Sequence, residues 1–116
     1  MNDEILDIND VLERVQDDRE LLMELLDIFV EDFLEKRKAL SELIQQRDTG
    51  QIRNIVHSMK GASGNISAKA IHALCAKIEQ WAEKGEIQQI EESMASLDEH
   101  FNQLQACIVK LKKKLT

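Results

Sequence analysis

His57, Lys60, Gly61 and Gly64 stand at i, i+3, i+4 and i+7 of one stretch, with Arg53 one turn earlier. On an α-helix that spacing gathers them into one stripe, roughly opposite the apolar stripe of Ile52, Ile55, Val56, Met59 and Ile66. Each glycine inside a helix costs about 1 kcal/mol relative to alanine, so solvent exposure alone gives no reason for Gly61 and Gly64. Bare backbone beside a histidine lets a partner's reactive group come close. A neutral imidazole offers one lone pair for in-line attack while its other nitrogen holds a proton, and phosphoryl transfer asks mainly for positioning and nearby positive charge. Lys60 supplies such a charge, so the stripe suits phosphoryl acceptance at His57. The plain alternative is a solvated surface pair of histidine and lysine, and the two glycines weigh against it. The sequence around the stripe holds no nucleotide-binding loop, metal-spaced cluster or second acid or base. Any phosphoryl group is therefore expected to arrive already activated, with its metal held by the partner.

The other two histidines lack this setting. His72 falls on the flank of a later helix and His100 near an apolar seam, and both are expected to be structural. A metal-carboxylate bundle would need Glu three residues before each histidine. Those positions are Asn54, Lys69 and Leu97, which excludes it.

The elements that must position the stripe read as one short helix and four longer ones. The first spans about Asn9 to Gln16, with Val11, Leu12 and Val15 inward behind an Asn9 or Asp10 cap, and is expected to lie on the bundle as a lid. The second runs from Asp17 or Asp18 to about Arg47, with Leu22, Leu25, Leu26, Phe29, Phe33, Leu40 and Ile44 inward. Asp48, Thr49 and Gly50 form a turn signal. The third runs from about Gln51 to Ile66. The fourth, Ala68 to about Lys84, turns Ile71, Leu74, Cys75, Ile78 and Ala82 inward and ends at Gly85. The last carries Ile87, Ile90, Met94, Leu97, Phe101, Leu104, Ile108, Leu111 and Leu115 in an unbroken three-four spacing. Lys110, Lys112, Lys113 and Lys114 near its end suit the negative pole of the helix dipole. With short connections, the simplest architecture is an all-α, antiparallel up-down four-helix bundle with a short extra N-terminal helix, a single domain over residues 1–116.

Composition agrees. The 116 residues contain no proline, four glycines and no tyrosine, which favours helix throughout. The net charge of −7 argues against nucleic acid. Charge is uneven: residues 1–35 hold 13 acidic and 2 basic side chains, net −11, and residues 36–84 hold 4 and 9, net +5. The middle of the chain thus suits an acidic or phosphorylated partner. Cys75 and Cys107 form no metal-spaced pair and read as buried thiols in a reducing compartment. No leader or spanning apolar stretch is visible, so a cytoplasmic location without membrane contact is expected, and Met1 favours a free-standing chain.

The string His57-Ser58-Met59-Lys60-Gly61-Ala62-Ser63 resembles the signature of histidine phosphotransfer (HPt) domains. The likeness continues through Gly64-Asn65-Ile66 and into Ala70 to Glu79, which is similar to the family's second motif helix. The resemblance implies that His57 is the phosphorylated residue and that Lys60 assists the phosphoryl group. It also implies that Glu79, twenty-two residues after the histidine, accepts the Nδ1 proton and leaves Nε2 as nucleophile. A helical wheel puts Glu79 on the flank of the fourth helix, beside its apolar stripe. The implied function is that of a phosphorelay intermediate without kinase activity of its own, taking a phosphoryl group from one receiver-domain aspartate and passing it to another. Receiver domains of response regulators or hybrid sensor kinases are the implied partners. No cofactor is expected on this chain, Mg2+ being expected on the receiver only. One departure stands out: Ser67 occupies a position where the family usually has glycine, and serine there would suit an N-cap of the next helix. The alternative function is a helical scaffold or dimerisation module using the seam of the last helix. That seam can be satisfied inside the domain, so a monomer is expected.

Overall fold

The computed structural model describes residues 3–115, the side chain of Leu115 excepted. It contains α1 (Ile8–Arg14), α2 (Arg19–Gln45), α3 (Thr49–Asn65), α4 (Lys69–Glu83) and α5 (Ile87–Leu115). The inward placement expected for Leu115 lies outside the described residues. At about 1.5 Å per residue, the 29 residues of α5 account for the 44 Å long axis of the molecule.

Aspartates start the first three helices. Asp7, Asp18 and Asp48 accept from the backbone N–H of Asp10, Leu21 and Gln51, each satisfying one N–H that the first helical turn leaves unpaired. Two expectations are thereby corrected. The cap of α1 is Asp7 rather than Asn9 or Asp10. Asp48-Thr49-Gly50 is the start of α3 rather than a turn, because Asp48 caps and Thr49 and Gly50 already lie in the helix. The reversal happens one residue earlier, at Arg47, whose φ is 55°.

Gln16, Asp17 and Ser67 also adopt left-handed backbone, and Gly85, as expected, closes α4 with φ 72°. Three of the four glycines, Gly50, Gly61 and Gly64, instead sit inside α3. Left-handed backbone costs a non-glycine residue roughly 1–2 kcal/mol, so each such turn needs outside support. At Ser67 (φ 61°) the support is visible. Its hydroxyl donates to Asp10 Oδ2 at 2.5 Å, and its carbonyl accepts from the Asp7 N–H at 3.0 Å. Ser67 is therefore not the N-cap of α4. That place belongs to Ala68, which has no side-chain bond to offer.

The same contacts make α1 and the segment before it a lid on the α3–α4 turn. The Lys69 ammonium meets Asp7 at 2.8 Å, and the Ala70 N–H donates to the Glu4 carbonyl at 2.5 Å. Ile5, Leu6, Val11 and Val15 form its buried underside.

Cross-helix contacts fix the directions of the bundle. Asp27 meets Lys112 and Arg37 meets Asp98, so α2 and α5 run antiparallel; Arg53 meets Glu83 and His57 meets Glu79, so α3 and α4 do too. The inward residues of α2 to α5 form one core, in which the rings of Phe33 and Phe101 stack with centroids 4.0 Å apart. Leu25, Ile44, Ile55, Leu74, Ile87 and Met94 pack at its margin, half-buried. Cys75 is fully enclosed, while Cys107 is only half-buried, short of its expected burial. Enclosure pushes the Cys75 thiol up to about 12, with the nearby Glu79 carboxylate adding to the effect. No described helix is long and apolar enough to cross a membrane.

Candidate functional site

The polar stripe of α3 runs along the seam it shares with α4. Val56 and Met59 bury the other side of α3, which turns His57 outward, with 62% of its side chain exposed. Ile78 and Ala82 anchor α4, and between them Glu79 points across to α3 with only 9% of its side chain exposed. Glu79 had been expected on the flank of α4; the antiparallel neighbour closes over that flank and buries it.

Glu79 divides its two oxygens. Oε2 lies 2.7 Å from His57 Nδ1, and Oε1 lies 2.7 Å from the Lys60 ammonium. The Lys60 hydrogen bond chiefly holds the Glu79 carboxyl below the usual carboxylate range; the His57 bond adds to this, and burial opposes it. An ionised carboxylate only accepts, so at this contact Nδ1 carries the proton. In neutral His57 the lone pair is consequently on Nε2, at the exposed edge of the ring.

The two expected approach glycines differ. A Cβ built on Gly61 would meet nothing within 4 Å, so bare backbone faces open space one turn from His57. A Cβ on Gly64 would come within 3.1 Å of His72 Nδ1 and 3.3 Å of its Cε1. The space at Gly64 is thus taken by His72, whose Nδ1 sits 2.8 Å from the Lys60 carbonyl oxygen. From the sequence His72 is expected to be structural, on the flank of α4; its reach to α3 depends on the packing of the two helices.

Two further cations border the histidine. Arg53, one turn before it, pairs with Glu83 at 3.1 Å. Lys36, from α2, reaches Ser58 Oγ at 2.5 Å while paired with Asp32 at 2.8 Å. Sequence reasoning missed Lys36, and the Asp32–Lys36 spacing of one helical turn was the only signal for it. Positive charge therefore approaches His57 from α2 and α3, each cation already held by a carboxylate, two of them on α4. Among the described residues, no group of three or more His, Cys, Asp and Glu side chains is arranged to hold a metal ion.

A model of the Hpt domain matches residues 24–107, a span that contains His57, Lys60, Gly61, Gly64 and Glu79. No curated protein matches the chain in sequence. Among solved structures, histidine-containing phosphotransfer protein B of Pseudomonas aeruginosa PAO1 is 27% identical, covers 90% of this chain and 91% of its own, and superposes with a TM-score of 0.83. The HPT domain of an Hpt sensor hybrid histidine kinase from Shewanella shares the fold over 99% of both chains, with a TM-score of 0.82 at 16% identity. Since the family match takes in most of α2, all of α3 and α4 and most of α5, the chain belongs to the histidine phosphotransfer domain family.

Proposed function

We propose that this protein is a phosphorelay intermediate, a monomer acting in the cytoplasm as one domain. It takes a phosphoryl group from the aspartyl phosphate of one receiver domain and gives it to the aspartate of another. The observation that carries the reading is the 2.7 Å contact between His57 Nδ1 and Glu79 beneath an exposed ring edge.

Nε2 of His57 attacks the phosphorus in line. The N–P bond forms as the bond from phosphorus to the acyl oxygen breaks, and the receiver's aspartate leaves as a carboxylate. Nδ1 keeps its proton, so the phosphorylated ring is cationic, and the Glu79 carboxylate beside it offsets that charge. Lys60 faces the incoming phosphoryl oxygens, and Gly61 leaves its face of α3 clear for the receiver. The return step reverses these bonds onto a second aspartate. The chain acts as a carrier without autokinase activity, and the Mg2+ that shields the phosphoryl charge belongs to the receiver. The net positive stretch from residue 36 to 84 favours such an acidic partner.

Incubation with a phosphorylated receiver domain should leave acid-labile, base-stable label on the wild type and none on His57→Gln. An unlabelled wild type, or equal label on the variant, would sink the proposal. Glu79→Ala keeps the nucleophile and loses its orientation, so transfer should slow by about ten- to a hundredfold without stopping. An unchanged rate would remove Glu79 from the mechanism.

A further inference from the structure

Lys60 is gripped at both ends by α4. Its ammonium sits on Glu79 Oε1 at 2.7 Å, and its carbonyl oxygen lies 2.8 Å from His72 Nδ1. Glu79 and His72 are seven residues apart, two helical turns, and so share one face of α4. A carbonyl oxygen only accepts, so Nδ1 of His72 carries the proton and donates, whether or not Nε2 is also protonated. The Ser63 hydroxyl shares its one proton between the Met59 carbonyl at 2.8 Å and the Lys60 carbonyl at 3.0 Å.

Gly64 makes the grip possible. With any Cβ at that position the His72 ring would be met at 3.1 Å, tighter than ordinary packing, and would have to give by a few tenths of an ångström, straining its bond to the Lys60 carbonyl. Gly61 has no such neighbour. The glycines thus serve different ends, one clearing space inside the molecule and the other outside it.

We infer that His72 is a positioning residue for phosphoryl transfer, pinning the α3 backbone at Lys60, and that Gly64 is the clearance it requires. The inference rests on the phosphotransfer reading of His57. His72 acts through Lys60: the bond to the carbonyl sets the height of the Lys60 stem on α3, and Glu79 sets the direction of its tip. The ammonium is then fixed relative to Nε2 before the phosphoryl group arrives.

The test is single-turnover transfer from a phosphorylated receiver domain to the full chain, with the receiver concentration varied. His72→Ala should lower the maximal rate by about tenfold while the half-saturating receiver concentration stays within about twofold, the signature of lost positioning rather than lost docking. His72→Gln, which can still donate to the carbonyl, should recover much of the rate. Gly64→Ala should slow the wild type to a similar degree and add nothing in the His72→Ala background, whereas Gly61→Ala should raise the half-saturating concentration in both. An unchanged maximal rate for His72→Ala, or an effect confined to half-saturation, would overturn the positioning role. Equal costs of Gly64→Ala with and without His72 would overturn the clearance role. Melting temperatures give a readout that needs no partner. Gly64→Ala should lower the melting temperature when His72 is present and raise it when His72 is absent, since alanine favours helix. A wild type that takes no label would defeat the phosphotransfer reading, and the melting cycle would still decide whether His72 fills the Gly64 space.

Discussion

The α2–α5 pair and the α3–α4 pair are both antiparallel and share one core, yet they are held together by different means. Between α2 and α5 the centre is aromatic, with Phe33 stacked on Phe101, and the charges lie at the rim: Arg37 on Asp98 and Lys112 on Asp27, with each aspartate about half exposed. Between α3 and α4 one polar group lies deep: Glu79, 9% exposed, joins His57 to Lys60, while His72 binds a backbone carbonyl at the surface. Apolar stacking tolerates small displacements, because dispersion and the hydrophobic effect have little direction. A buried carboxylate with two partners does not, since losing Lys60 removes its counter-ion and losing His57 leaves a buried oxygen without a donor. The long pair is thus a scaffold, and the short pair holds the chemistry where the scaffold places it.

Three changes would break or sharpen this contrast. The largest is Phe33→Ala, which opens a cavity against Phe101 and should cost about 3–5 kcal/mol in chemical denaturation. Transfer per folded molecule should stay near that of the wild type. A loss of transfer beyond the loss of folded protein would show that the scaffold also tunes the site.

Acid is the next test, and it acts on the short pair. The folded-state carboxyl of Glu79 lies below its ordinary value of 4.5, so its contribution to stability is in place above that value. The contribution is lost as pH falls through the depressed folded value, and each unit of depression is worth about 1.4 kcal/mol. Asp7 and Asp10 shift the same way, drawn down chiefly by hydrogen bonds from Lys69 and Ser67 respectively. Unfolding free energy followed from neutral pH into the acid range should fall less steeply for Glu79→Gln than for the wild type. Equal slopes would mean that Glu79 is not held as an ion.

The smallest effect is expected at the rim of the long pair. Arg37→Ala removes the bond to Asp98, whose side chain is 49% exposed, and should cost under about 1 kcal/mol. A loss approaching that of Phe33→Ala would erase the distinction between the aromatic centre and its charged edge.

Much of this was legible in the sequence, to different depths. The α5 seam could be read outright, because a three-four spacing from Ile87 to Leu111 needs no knowledge of neighbours. The stripe of His57, Lys60, Gly61 and Gly64 could be read for the same reason, being local to one helix. Glu79 was reachable only through the family likeness, since nothing local says that a flank residue of α4 will be buried against α3. Lys36 and His72 escaped because their partners, Ser58 and the Lys60 carbonyl, lie on other helices and depend on how those helices pack. At Ser67 the local preference of serine for a cap misled. The hydroxyl found Asp10 of α1 instead, and that contact supports the left-handed turn.

The central claim is that Glu79 holds the Nδ1 proton and so makes Nε2 of His57 the phosphoryl acceptor. Nitrogen-15 and phosphorus-31 NMR of the phosphorylated, histidine-labelled chain would test it most directly. The account predicts a single phosphohistidine, at position 57, with phosphorus coupled to Nε2 and the proton retained on Nδ1. Phosphorus on Nδ1, or on His72 or His100, would contradict it.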